Sequence, residues 1–423
     1  MSTASAVIPV GYKQTEIGVI PVDWIIGSLI GTCDYVDYRG RTPPKSDRGR
    51  VLVTSRNIRR GRIDYERSKE YISELTYLEY MKRGIPIVGD VLITTEAPLG
   101  MVAQVDDDTI ALAQRVIKYR PKDTDLYSKF LMYFLLSNSF QDQLKINTIG
   151  STASGIKGSI LHRLVITYPS NIDEQHVISE ALYDIDCQLE SLKNLISKKR
   201  DIKQSVMQEL LTGKTRLPGF NGKWKNYNLI DVAKIISGIN KPASEMGQGA
   251  LYLTVKELYV GNYIDTKLLG RIRVSENEID SKSLVLGDVI FGKSSVKREG
   301  IAYPNYFSGC SEPVIFSGFT FCARSNKSLI HARFLFYVLR FKRTRNWVIN
   351  NSQASALTNL NQSIARQIPI TMPVEKDEQE AIAEVLSDMD AEIAALEERL
   401  EKAEAIKQGM MQQLLTGKIR IVN

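Results

Sequence analysis

Asp173-Glu174-Gln175 recurs as Asp377-Glu378-Gln379, and Leu210-Leu211-Thr212-Gly213-Lys214 recurs as Leu414-Leu415-Thr416-Gly417-Lys418, at one constant offset of 204 residues. Through this stretch the two copies align without a gap and share roughly 22 identities over about 49 positions, far more than related composition gives. A repeat this long is a duplicated domain with its helix rather than a short solenoid unit. Two such units on one chain suit a molecule that grips something at two places.

The offset persists upstream and then drifts. Phe130-Leu131 and Tyr133 match Phe334-Leu335 and Tyr337, and Ile166-Thr167 with Pro169 matches Ile370-Thr371 with Pro373. Gly89-Asp90-Val91 pairs with Gly287-Asp288-Val289, and Trp24 with Trp224, at slightly smaller offsets. Drift means insertions and deletions, which loops tolerate and packed helices do not.

The strict part reads as a long helix in each copy. Ile178, Leu182, Ile185, Leu189, Leu192 and Ile196 alternate steps of four and three, as do Ile382, Leu386, Met389, Ile393, Leu396 and Leu400. That spacing is the a/d seam of a coiled coil. Beyond it the stripe shifts to steps of four, through Ile202, Val206 and Leu210 and through Ile406, Met410 and Leu414. Acidic residues fill each first turn, where the helix dipole favours them, and Gly213 and Gly417 are natural stops. Each helix is then about 40 residues, or about 60 Å at 1.5 Å per residue. The simplest partner for each seam is its own repeat, packed antiparallel in a pseudo-twofold arrangement. The alternative is a helix packed only on its own globular domain, or on another chain.

The globular parts read as mixed. Gly89 to Thr95 and Gly287 to Phe291 look like a turn entering a buried strand, and Val51–Thr54 and Leu251–Thr254 also look like strands. Residues 127–144 and 332–348 look like amphipathic helices. The fold class expected is α+β, with globular segments at 1–170 and 216–372 and long helices at 171–215 and 373–423.

Composition bounds the function. The net charge of +7 is unevenly spread. The segments 1–170, 171–215, 216–372 and 373–423 carry roughly +4, −2, +11 and −6. Basic globular parts suit a polyanion such as DNA, although solvated surface charge gives the same count. The second helix is far more acidic than the first, with Glu397, Glu398, Glu401 and Glu404. Cys33, Cys187, Cys310 and Cys322 are scattered and the chain has three His, so no metal site is expected. No basic region followed by an apolar run opens the chain, and residues 130–136, the greasiest stretch, fall far short of the roughly 20 residues a membrane span needs. A reduced, cytoplasmic protein with no membrane contact is expected.

Catalytic motifs are scarce. Gly287-Asp288-Val289-Ile290-Phe291-Gly292-Lys293-Ser294 fits the phosphate-loop pattern letter for letter. Its spacer is strand-like and the stretch after Lys293 is a poor helix start, so a turn, a strand and a basic loop are the better reading. His162, His176 and His331 sit near no nucleophile motif, and no catalytic residue is expected. What remains is basic residues set among aromatics and turns. In the first copy these are Tyr38, Arg39, Arg41 and Lys45, with Arg56, Arg59, Arg60 and Arg62; in the second they are Lys241, Lys256, Lys293, Lys297 and Arg298. Arginine suits bidentate contact with guanine, and both cations suit phosphate.

Several segments together resemble a known family, the specificity subunits of type I restriction–modification enzymes. Tyr12-Lys13-Gln14-Thr15-Glu16-Ile17-Gly18 with Ile20-Pro21 and Trp24 looks like the family's opening. Leu211-Thr212-Gly213-Lys214-Thr215-Arg216-Leu217-Pro218-Gly219-Phe220 with Trp224 looks like its central junction, and the two Asp-Glu-Gln tripeptides resemble its helix starts. The resemblance covers nearly the whole chain. It implies two target-recognition domains, each reading half of a bipartite, asymmetric DNA sequence, and two helices that set the spacer and dock two methyltransferase subunits. Two restriction subunits would complete the assembly. S-adenosylmethionine, ATP and magnesium would belong to those partners and none to this chain. The alternative is a stand-alone enzyme that modifies or cleaves DNA.

Overall fold

The computed structural model describes residues 8–40, 42–148, 155–354 and 357–421. The chain divides into two compact units, 1–193 with 398–423, and 194–397. Each unit therefore takes one globular domain, part of the first long helix and part of the second.

The same sheets recur in both units. A four-stranded antiparallel sheet runs Cys33–Asp37, Val116–Pro121, Val91–Thr94, Val102–Gln104 in the first, and Ala233–Ser237, Thr320–Ser325, Val289–Gly292, Asn305–Tyr306 in the second. A smaller sheet places Arg50–Val53 between antiparallel Tyr71–Ile72 and parallel Ala111–Leu112; Met246–Leu253 sits likewise between Gly270–Ile272 and Val314–Phe316. Val91-Leu92-Ile93 is apolar on both faces because both are covered. Val91 and Ile93 pack with Phe130 and Phe134, while Leu92 joins the opposite core around Leu52 and Ile72. The preceding Gly-Asp is a turn whose aspartate is buried. Asp90 accepts the Ile87 N–H and pairs with Arg120, and Asp288 accepts the Val285 N–H and pairs with Arg324.

Residues 127–144 and 332–348 do not form single helices. Each stretch holds two, Ser128–Leu136 with Asn138–Ile146, and Ala332–Arg340 with Lys342–Asn351. The break falls at Ser137 and Phe341, both extended; the Ser137 hydroxyl accepts the Phe140 N–H and starts the next helix.

The long helices run Ile172–Leu210 and Lys376–Leu414, 39 residues each. The repeated tripeptide anchors their starts. Gln175 accepts the Tyr127 N–H at 2.8 Å and donates to the carbonyls of Asp125 and Pro169; Gln379 does the same with His331, Leu329 and Pro373. Glu174 and Glu378 are fully buried. Glu378 takes a two-pronged contact from Arg216 at 2.5 and 2.6 Å, and Glu174 takes its counterpart from Arg420. The repeated Leu-Leu-Thr-Gly ends the helices. Gly213 and Gly417 lie at φ +69° and +67°. An added Cβ would meet the Trp224 ring at 3.2 Å in one case, and Pro21 at 2.5 Å in the other, so glycine is required for conformation and for space.

Within each unit the two helix segments run antiparallel. In the first, Ile185 and Leu189 pack with Ala403, and Leu192 and Leu400 flank them; Ile178 and Leu182 join the globular core together with Met411, Leu414 and Leu415. In the second, Ile382 and Leu386 join the core with Leu210 and Leu211, and Val206, Met207 and Met389 pack against it. Ile196 and Ile393 are buried and Leu396 is half-buried. The outer stripe departs from the expected one. Ile202 and Ile406 are exposed, and the neighbouring lysines point inward instead. Lys203 pairs with Asp390, which also accepts the Tyr337 hydroxyl at 2.8 Å. Lys407 lies 2.5 Å from Asp186, which accepts the Tyr133 hydroxyl at 3.0 Å. The buried Asp390 and the half-buried Asp186 need a cation and a donor more than the seam needs another isoleucine.

Asp390 is 8% exposed, so removing its cation leaves a buried charge unpaired. Lys203→Ala is expected to cost about 3–5 kcal/mol of unfolding free energy in urea, and Lys203→Met with Asp390→Leu clearly less. Additive losses in that double-mutant cycle would mean the two groups do not depend on each other.

Candidate nucleic-acid interface

Five loops meet at one end of each unit. In the first they follow residues 37, 53, 94 and 112 and include 155–157. Ala113 N donates to Val53 O at 2.9 Å, Thr95 N to Arg115 O at 3.0 Å and Ile156 N to Thr95 O at 3.1 Å, and Ser55 Oγ reaches Ala97 O. In the second unit Ser317 N donates to Leu253 O, Gly318 N to Ile239 O and Lys293 N to Phe319 O, each at 2.9 Å, and Leu360 N to Lys293 O at 2.8 Å. Loops carry little regular hydrogen bonding of their own, so five of them tied together make a surface that is held in place yet free to vary in side chain.

The expected basic residues divide sharply. Tyr38 is 2% exposed and donates to the Gly84 carbonyl, so it belongs to the core. It follows directly on the strand Cys33–Asp37 and turns inward, which the neighbouring arginines conceal in the sequence. Arg39 folds back onto Asp37 with two contacts of 2.9 Å from Nε and donates to Ile156 O. Lys45 lies 2.9 Å from Glu70, Arg59 lies 3.9 Å from Asp64, Arg60 donates to Leu136 O, and Arg62 reaches Glu190 on the first long helix at 3.0 Å. Arg41 lies outside the described residues. In the second unit Lys241 sits between Glu245 and Glu278 at 3.2 and 3.0 Å. Lys293 donates inward to Ser237 Oγ and Gly318 O over the Phe321 ring, and burial pulls its pKa down. The phosphate-loop pattern around it spans a turn and the strands Val289–Gly292 and Ser294–Ser295.

Arg56, Lys256, Lys297 and Arg298 remain as exposed cations whose side chains have no partner among the described residues. All four lie in the gathered loops. Lys157, which the sequence did not single out, is a fifth. Aromatic surface accompanies the cations in the second unit, where Phe319 is 60% exposed and Tyr259 47%.

Phe319 marks a further pair of residues. It stands 204 positions after Arg115, at the tip of the same strand-to-strand turn in the other unit. Arg115 holds φ +73°, uncommon outside glycine, and lies 2.9 Å from Glu96. The shared offset of the strands after it, Val116–Pro121 and Thr320–Ser325, is the signal that could have found it. An arginine in one unit and a phenylalanine in the other present different chemistry to whatever the turn meets: an arginine fork suits guanine O6 and N7, and an aromatic ring suits a thymine methyl.

The histidines hold structure. His162 is buried, bonded to the Tyr119 hydroxyl at 2.7 Å and packed at a tilt against the Tyr35 ring with centroids 3.8 Å apart, and burial pulls its pKa down. His176 stacks on Tyr127 at 3.8 Å. Burial also lowers the pKa of His331. Among the described residues no helix is long and apolar enough to cross a membrane.

Known proteins share this arrangement. The family model of the type I restriction modification DNA specificity domain matches residues 21–198 and again residues 221–405. Three proteins of Methanocaldococcus jannaschii are similar. The type I restriction enzyme MjaVIII specificity subunit is 27% identical over 222 residues, covering 50% of each chain, and the MjaIX specificity subunit is 27% identical over 262 residues, covering 56% of this chain and 57% of that one. The matched part thus spans about half the length of these two relatives. The putative type I restriction enzyme MjaX specificity subunit is 24% identical over 437 residues, 97% of each chain. Among solved structures, the S subunit of a type I restriction-modification system from M. genitalium is 15% identical, covers 92% of this chain and 96% of that one, and gives a TM-score of 0.60. A chain from a structural study of type I R-M complex assembly and conformational transition is 17% identical over 95% of this chain and 99% of that one, with a TM-score of 0.56. These likenesses show a common fold. With both of its repeats matched, the chain belongs to the type I restriction modification DNA specificity domain family.

Proposed function

We propose that this chain is the sequence-reading subunit of a type I restriction–modification enzyme and carries no catalytic site of its own. Each unit reads one half of a bipartite DNA target with its gathered loops, and the two half-sites differ. The long helices set the spacer and dock two methyltransferase subunits, to which two restriction subunits add. S-adenosylmethionine, ATP and magnesium act in those partners, in the cytoplasm.

The observation that carries this reading is the contrast between frame and surface. The residues that anchor each unit are repeated identically, among them Asp90 and Asp288, Gln175 and Gln379, and Glu174 and Glu378. The exposed loop chemistry is not: Arg56, Arg115 and Lys157 in one unit stand against Lys256, Lys297, Arg298 and Phe319 in the other. One frame presenting two surfaces is what an asymmetric, two-part target requires. The unpaired cations supply phosphate contacts, and the turn tips at Arg115 and Phe319 face base edges.

Two outcomes are expected. Replacing Lys256, Lys297 and Arg298 together by Ala weakens DNA binding and lowers the slope of log affinity against log salt by about 2.7, near 0.9 per lost phosphate contact. Fluorescence anisotropy between about 50 and 200 mM salt measures it, with Lys402→Ala on the second helix as control. An unchanged slope removes these residues from the interface. Inserting one heptad after Ile196 and one after Leu400 lengthens the helices by about 10 Å. Methylation by the assembled enzyme then moves to a longer spacer with the same half-sites, and methylation only at the original spacing refutes the spacer role.

A further inference from the structure

Two ion pairs on the long helices occupy one position twice. In the first unit Lys193 Nζ lies 3.1 Å from Glu404 Oε1, and in the second unit Arg200 Nη2 lies 2.5 Å from Glu397 Oε1. At the 204-residue offset Glu397 is the counterpart of Lys193, and Glu404 the counterpart of Arg200. The two contacts are therefore equivalent, yet their polarity is not exchanged between the helices. The first helix supplies the cation both times and the second helix the anion both times.

We propose that this division of charge is a pairing code, which directs each long helix to its unlike repeat and against the like helix of a second copy of this chain. The hazard arises from the repeat itself. Ile185, Leu189, Leu192 and Ile196 have Met389, Ile393, Leu396 and Leu400 as counterparts, so the apolar seam is available to a like helix as well. The inward Lys–Asp pairs are equally indifferent. Lys203 and Asp186 lie on the first helix, and Lys407 and Asp390 on the second, so two copies of either helix rebuild both pairs between them.

The Lys193, Arg200, Glu397 and Glu404 set is not indifferent. Two first helices in the same antiparallel register set Lys193 against Arg200 twice, and two second helices set Glu397 against Glu404 twice. Lys199, which lies 2.6 Å from Glu392, would lose its partner as well, because Glu392 has the neutral Gln188 as counterpart. Like-helix pairing thus exchanges attractions for repulsions while keeping the apolar contacts, the logic by which flanking charges choose partners in coiled coils. Each pair is about half exposed and weak alone. Repeated at two places on each of two chains, and with repulsion replacing attraction, the set shifts the preference on the order of tenfold relative to uncharged positions. The acidity of the C-terminal segment has its use here, as the complement of Lys193, Lys199 and Arg200.

The test uses full-length chains of identical net charge. Lys193→Glu, Glu404→Lys, Arg200→Glu and Glu397→Arg together exchange both pairs, so unlike helices still attract and like helices still repel. Lys193→Glu with Glu397→Lys alone sets carboxylate against carboxylate in one pair and cation against cation in the other, and makes both like-helix pairings attractive. Sedimentation equilibrium at low salt is expected to give the fourfold variant the parent's self-association constant and the twofold variant one tighter by about a hundredfold, twice the tenfold shift on a logarithmic scale. The difference is expected to vanish at about 1 M salt, where the Debye length is about 3 Å. Lys193→Gln with Glu397→Gln introduces no repulsion and is expected to associate about tenfold more tightly than the parent, which keeps the comparison available if the twofold variant does not fold. Equal self-association of the neutral variant and the parent, or of the fourfold and twofold variants, overturns the code. Neither result depends on DNA binding.

Discussion

A carboxylate with no exposed surface holds each unit together. Glu174 opens the first long helix and is met by Arg420, from the tail beyond the second; Glu378 opens the second helix and is met by Arg216, from the tail beyond the first. Buried acids are costly unless they are paired and hydrogen-bonded. Each pair therefore demands that a helix start and the other helix's tail be brought together, and that requirement fixes the antiparallel arrangement inside each unit. The glutamine beside each glutamate extends the constraint to the globular domain, through backbone groups of Tyr127 and Pro169 in one case and of His331 and Pro373 in the other. Three consecutive residues thus serve the helix dipole, the partner tail and the sheet layer, which is why the tripeptide recurs without change.

What is legible in the sequence is whatever is local or periodic. The a/d steps place both long helices, and the constant offset identifies one frame used twice. Buried strands such as Val91–Thr94 announce themselves as apolar runs after a Gly-Asp turn. Contacts between distant residues are not legible. Nothing near Arg62 points to Glu190, and nothing near Lys241 points to Glu278, so cations that are structurally engaged read the same as free ones. Tyr38 reads as part of a basic, aromatic cluster because its partner, the Gly84 carbonyl, lies far along the chain while its neighbours are charged. Ile202 and Ile406 read as seam residues because the acids that turn the adjacent lysines inward, Asp390 and Asp186, lie on the other helix.

The division of labour follows from where variation is tolerated. The helix pair and its anchors are over-determined by buried charge, glycine conformation and seam packing, so changing one part strands another. The gathered loops are tied through backbone hydrogen bonds, which leave side chains such as Arg115 and Phe319 free to differ between units. One fold can therefore carry two unlike surfaces without rebuilding its core. The same duplication makes the seam available to a second copy of the chain, and the opposite charges at Lys193 and Arg200 against Glu397 and Glu404 are the feature proposed to answer it.

The proposed function, two unlike readers with a spacer set by the helices, predicts a definite signature in methylated DNA. Single-molecule methylation mapping of DNA modified by this chain together with its methyltransferase subunits reads that signature. One bipartite motif with two different half-sites and a spacer of fixed length is the expected result. A palindromic motif, or one contiguous site, would contradict it.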